Sequence, residues 1–307
     1  MRFGALLALA LLIPACADGA SPSWKRGAPL PLARGEVAAA VAEGRIYIVG
    51  GFTAEGQASA RAEAYSPATN TWSVEADLPV PVHHSMAAGY RGRVFVAGGY
   101  GDHGQLTTLF AFTGDGWTRL APMPEDRAAG GAAVVNGKLY VVGGTTSSPA
   151  GRLARRMLVY DIAGNRWTTR RGPTPREHLG VAALGGRIYV VGGRTAGFDT
   201  NMALVERFNP RTGRWSRLRR VPGRRGGTGL AGTGRWLVSA GGEAPPGTIR
   251  SVYRFDVRRG RWSRLPNLPT PRHGLGVAAV GGKVYVIGGG TSPGLSVSQA
   301  NESLVVR

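Results

Sequence analysis

The sequence predicts an all-β fold, a ring of six four-stranded blades, and three observations carry that prediction. Glycine doublets recur at Gly50-Gly51, Gly98-Gly99, Gly143-Gly144, Gly192-Gly193, Gly241-Gly242 and Gly288-Gly289, separated by 48, 45, 49, 49 and 47 residues. A tryptophan keeps the same beat: Trp72, Trp117, Trp167, Trp215 and Trp262 lie 19 to 24 residues after the first glycine of a doublet. A fixed period of about 40–50 residues marks a propeller or a solenoid. Finally, one window holds four strand-like runs. Ser251 to Val257 and Arg261 to Leu265 are joined at Arg258-Arg259-Gly260, and Gly276 to Val280 and Lys283 to Ile287 at Gly281-Gly282. Composition agrees, because 49 glycines and 20 prolines spread over 307 residues suit short strands and tight turns.

Each marker has a mechanical reason. An aromatic three residues before the doublet, at Tyr47, Phe95, Tyr140, Tyr189 and Tyr285, fills the wedge between blades, while the glycines let the backbone pass where strands crowd. Asn136-Gly137 is the strongest of the hairpin signals. The fifth repeat departs from the pattern, with Val238 in the aromatic position and Trp236 two residues earlier. After the last doublet only one further run follows, Asn301 to Arg307, aligned with Asn201 to Arg207, and the chain stops without a tryptophan. Ser23-Trp24-Lys25 matches Thr71-Trp72-Ser73 and Arg261-Trp262-Ser263, so the N-terminal segment is expected to supply the outermost strand of the sixth blade. That closure removes two open sheet edges.

The small-hydrophobic strand, the aromatic before Gly-Gly, and the pairs Tyr160 to Trp167, Phe208 to Trp215 and Phe255 to Trp262 resemble the kelch repeat over Ser23 to Arg307. The resemblance implies a six-bladed propeller of the galactose oxidase central-domain superfamily; it implies little about activity, because one fold hosts many functions. The kelch-type copper oxidases need a tyrosine cross-linked to cysteine, and the one cysteine here is Cys16, so that activity is not expected. The sequence is also similar to the exported bacterial kelch mutarotase acting on sialic acid, which implies an acid/base in the mouth of the ring. Glu177, Glu243 and His178 are the candidates for it.

Residues 1–17 read as an export signal, with basic Arg2, an apolar run from Phe3 to Ile13 and small Ala15 and Ala17. The run is too short to span a bilayer. Ile13-Pro14-Ala15-Cys16 resembles a bacterial lipobox, which would place a lipid on Cys16, and Ala15-Cys16-Ala17 also fits ordinary cleavage before Asp18. The lipoprotein reading is preferred, although Pro14 is unusual in a lipobox. Residues 18–22 then form a short linker and 23–307 the propeller. The expected location is the periplasm or a membrane-anchored position in a bacterial envelope.

Net charge is +20, and 24 arginines face six acids between Arg152 and Arg264. One side of the molecule is therefore expected to attract anionic lipid or acidic polysaccharide. Nucleic acid is not an expected partner for an exported chain lacking a recognition helix or stacking motif.

In such a ring the loops between blades and those after each doublet open on one face, around a central channel. They carry Arg34, His83, His84, Arg127, Arg176, Glu177, His178, Arg224, Arg272 and His273, together with Asp102, His103, Arg194 and Glu243. A rim of guanidinium groups suits carboxylate, sulfate or phosphate ligands. The alternative for each arginine is a place in the repeat itself, bonded to backbone carbonyls. No closely spaced ligand motif is present, so no metal or other cofactor is expected. The reading is thus a monomeric binding module for a protein partner or acidic carbohydrate, with a sugar mutarotase or epimerase as the alternative.

Overall fold

A computed structural model describes residues 22–147 and 151–306. Residues 1–17, read above as an export signal with Cys16, and nearly all of the expected linker lie outside the described residues. Six antiparallel four-stranded sheets follow one another around a ring. In the first blade the strands run outward from the axis as Ala38–Ala42, Arg45–Val49, Ala62–Ser66 and Thr71–Val74. The sixth consists of Gly276–Val280, Lys283–Ile287, Asn301–Val305 and then Lys25–Arg26, paired as Lys25 with Ser303 and Arg26 with Glu302. The N-terminal segment therefore closes the ring as the tryptophan register predicts. The innermost strands touch each other in sequence order, and Ala38–Ala42 meets Gly276–Val280 to complete the circle.

The core consists of six apolar layers, each between two neighbouring blades. Tyr47, Val49, Val94, Val96 and Phe112, for example, join the first blade to the second. The wedge aromatics Tyr47, Phe95, Tyr140, Tyr189 and Tyr285 are all buried. Val238 takes that place in the fifth blade, and Trp236 instead lies beneath the guanidinium groups of Arg235 and Arg254, 4.6 and 4.3 Å from its ring. Each outer tryptophan reaches back to the preceding blade. The indole N–H of Trp24 donates to the Pro266 carbonyl, Trp72 to Ala28, Trp117 to Ala76, Trp167 to Ala121, Trp215 to Arg171 and Trp262 to Arg219, all at 2.7–3.0 Å. These six clips fasten neighbouring outer edges all the way round.

The doublet glycines are demanded by geometry. Gly98 and Gly99 have φ of 54° and 103°, and a Cβ on Gly98 would sit 2.2 Å from the Arg127 carbonyl oxygen. Only glycine combines that backbone conformation with so close an approach. The axis is lined by alanine, valine, glycine and Leu230 from the innermost strands, leaving a channel of about 230 Å³ in which backbone polar groups are exposed beside small side chains.

Candidate functional site at the channel mouth

The segment entering each blade crosses the loop face in a fixed phase. Sixteen residues before the first doublet glycine stand Arg34, Val82, Arg127, Arg176, Arg225 and Arg272. The five arginines are fully buried. Arg34, Arg127, Arg176 and Arg272 each donate to the carbonyl of their own doublet's first glycine at 2.6–3.0 Å. Arg34, Arg176 and Arg272 also pair with Glu63, Glu206 and Glu302 on the third strand of the same blade. Burial pulls Arg34 and Arg225 down to about 10, opposed for Arg34 chiefly by Glu63. The rim placement of Arg34, Arg127, Arg176 and Arg272 is therefore corrected: they are internal struts with no surface left for a ligand. Arg224, read as the rim residue of the fifth blade, is exposed, and its neighbour Arg225 takes the strut position, bonded to Ser251.

The chemistry begins one and two residues after the strut. The second of these positions holds Glu36, His84, Ala129, His178, Gly227 and Gly274, all with φ between 51° and 63°. The amide of each of the last five donates to the carbonyl of the one before, and Val37 N–H closes the circle onto Gly274, at 2.8–3.2 Å throughout. The first position bridges to the residue after the doublet, pairing Gly35 with Phe52, His83 with Tyr100, Ala128 with Thr145, Glu177 with Arg194, Gly226 with Glu243 and His273 with Gly290. Every blade thus aims three side-chain positions at the mouth, and the sequence fills them differently in each.

On one side these positions carry stacked rings. Phe52 lies 3.8 Å from His83, and His83 5.2 Å from Tyr100, measured between ring centroids. On the other side a chain of polar contacts closes on itself. His84 Nε2 lies 3.2 Å from Glu36 Oε2, and Glu36 Oε1 lies 3.1 Å from His273 Nδ1. His273 Nδ1 is also 3.4 Å from Glu243 Oε2. Arg194 holds Glu243 at 2.6 Å and Glu177 at 3.0 Å, Glu177 Oε2 lies 3.2 Å from His178 Nδ1, and His178 Nε2 returns to His84 Nε2 at 3.0 Å. His83 Nδ1 backs His84 Nδ1 at 2.6 Å.

Burial and charge set the protonation states. Burial drives His84 down to about 3 and His83 down to about 4, against the pull of Glu36, so both are neutral at pH 7. Burial pushes the Glu36 carboxyl up, but His84, His273 and His178 outweigh it and hold the group far below the usual carboxylate range. Burial also works to lower His273, yet Glu36 and Glu243 raise it overall. Its Nε2 faces the Ser292 carbonyl at 3.0 Å, so both ring nitrogens donate. Glu177 is lowered because His178 and Arg194 overcome its burial, and Arg194 is raised because Glu243 and Glu177 overcome its own.

Of the residues singled out from sequence, His83, His84, Glu177, His178, Arg194, Glu243 and His273 converge here. Asp102 and His103 do not, because they form the exposed tip of the hairpin Tyr100–Gln105 beside the mouth. Sequence reasoning missed Glu36 and the ring of Phe52, whose signal is their phase relative to the doublet. A second concavity, about 710 Å³, lies between the outer edges of the third and fourth blades, lined by Arg155, Arg171, Arg214, Arg217, Glu206 and Trp215. It belongs to the arginine-rich flank.

The family profile of the KLHDC2/KLHL20/DRC7 Kelch-repeats domain matches residues 18–171 and 122–289. The Kelch-like protein terF of Aspergillus terreus is 28% identical over 244 residues, covering 75% of this chain and 43% of its own length. The human Kelch repeat and BTB domain-containing protein 12 is 36% identical over 62 residues, 18% of this chain and 10% of its own. The chain thus spans less than half the length of these curated relatives.

Proposed function

Since this chain belongs to the kelch-repeat family, we propose that it is a non-catalytic interaction module that holds a protein partner of the bacterial envelope on its loop face. The observation that carries this reading is apolar surface on that face. Leu295 is 59% exposed and Leu32 39% exposed, on two segments tied together by the Gln299 side chain donating to the Pro31 carbonyl. Exposed leucines beside a rigid polar centre offer a protein partner apolar contact next to polar recognition. The basic groove between the third and fourth blades adds attraction for acidic surface, protein or glycan.

Binding is better supported than sugar mutarotation. A general acid/base works best with a pKa near the operating pH, whereas Glu177 is held low and both Glu177 and Glu243 are engaged by Arg194. The test is capture of envelope proteins by the mature chain under cross-linking, combined with anomer-exchange NMR on sialic acid. Leu32→Asp/Leu295→Asp is expected to lose the captured partner, whereas Arg91→Glu on the opposite face keeps it. Capture that survives the double substitution removes the basis for this surface, and accelerated anomer exchange overturns the non-catalytic reading.

The proposal includes export and anchoring through Cys16. Mass spectrometry of the mature protein is expected to find a lipid-bearing N-terminal Cys16, and a chain starting at Asp18 would instead indicate a free periplasmic protein.

A further inference from the structure

We propose that the channel mouth is a mononuclear site for a divalent first-row transition metal, held by His84 Nε2, His178 Nε2 and Glu36 Oε2. These atoms all lie within 4.8 Å of one another, with His84 Nε2 at 3.0 Å from His178 Nε2 and 3.2 Å from Glu36 Oε2. Metal bonds of about 2.0–2.2 Å at tetrahedral or right angles place donor atoms about 2.8–3.6 Å apart, so the two short separations are those of neighbouring ligands. Two imidazoles and one carboxylate suit zinc, cobalt, nickel or ferrous iron rather than calcium or magnesium.

Each ligand is backed from behind. His178 Nδ1 lies 3.2 Å from Glu177 Oε2 without a formed hydrogen bond, so that a small turn of the carboxylate would give the carboxylate–histidine arrangement that orients a metal-binding ring. His84 Nδ1 is backed by His83 at 2.6 Å, and the second oxygen of Glu36 is occupied by His273, which leaves Oε2 turned to the imidazoles. The neighbouring group Glu36, Glu243 and His273 is also compact, but His273 donates from both nitrogens and has no lone pair to offer a metal. It is the counter-ion of the site.

The three ligands come from the first, second and fourth blades. The third, fifth and sixth contribute Ala129, Gly227 and Gly274 at the same phase, around a cavity of about 90 Å³. Gly274 cannot be larger, since a Cβ there would lie 2.4 Å from the Glu36 carboxylate. Half of the coordination sphere therefore opens onto small residues, with room for water or an oxygen donor from a bound partner. Loading requires the proton between the two Nε2 atoms to pass to the Nδ1 side of its ring, so that both Nε2 atoms present lone pairs to the metal.

The test uses the mature chain without an affinity tag, freed of metal by dialysis against a chelator and titrated with Co²⁺. One ion per chain is expected, giving visible d–d bands that Zn²⁺ abolishes, with paramagnetic shifts on the His84 and His178 rings and none on exposed His103. His84→Ala and His178→Ala are expected to weaken binding by more than the about 10–100-fold that loss of an outer partner costs, and Glu177→Gln by an amount within that range. If a variant fails to fold, the ring shifts of the wild-type chain decide. Absence of stoichiometric Co²⁺ binding, shifts centred on His103, or unchanged affinity in His84→Ala/His178→Ala would overturn the site.

Discussion

Deletion of residues 1–26 is expected to lower the melting temperature of the ring by about 10 °C or more, or to prevent folding altogether. The deletion takes away Lys25–Arg26, the outer strand of the sixth blade, and its loss bares the edge of Asn301–Val305. It also removes the Trp24 clip to Pro266, which fastens the sixth blade to the fifth. Because the apolar layers lie between blades, one opened joint loosens the layers on either side of it. Trp24→Ala isolates the clip from the strand and is expected to cost about 3 kcal/mol, the usual scale for truncating a large packed aromatic. Thermal unfolding followed by circular dichroism reads both variants. An unchanged midpoint in the truncated chain would sink the six-blade closure.

Arg272→Ala is the second large effect, expected to destabilise the fold by about 3–5 kcal/mol, because it strands the carboxylate of Glu302 in the blade interior. Glu302 is 1% exposed and Arg272 is its ion-pair partner at 2.8 Å. Arg176→Ala should behave alike through Glu206, 2.5 Å from its guanidinium. Arg225→Ala is expected to cost less, about 1–3 kcal/mol, since it removes bonds only to the Ser239 and Ser251 hydroxyls and the Ser251 carbonyl rather than to a charge. Chemical denaturation of the three variants gives the order. A rim role would give the reverse signature, ligand affinity lost at unchanged stability.

The ring was legible because its markers are repeated: a glycine doublet and a tryptophan in register leave few other folds, and the match of Trp24 to Trp72 located the missing strand. The arginines misled for the same reason. Arg34, Arg127, Arg176 and Arg272 recur at one phase because the blade itself needs them, bonding a doublet carbonyl. In the fifth blade that phase falls on buried Arg225, one residue beyond the exposed Arg224. The informative positions vary from blade to blade at a fixed phase, as Glu36, His84 and His178 do beside Ala129, Gly227 and Gly274. Their convergence depends on residues far apart in the chain meeting at the axis, which local spacing does not reveal; His84 and His178 are 94 residues apart.

The amide-to-carbonyl circle at the mouth has one more consequence. Since main-chain atoms alone draw it, the positions held by Glu36, His84, Ala129 and His178 are settings in a fixed bezel: glycine, asparagine, aspartate or histidine can be exchanged there at little strain, whereas valine, isoleucine and threonine are shut out by the positive φ, and Gly274 alone is pinned by its contact with Glu36. Recognition at the mouth is therefore free to drift, or to be redesigned, while the scaffold underneath keeps its shape.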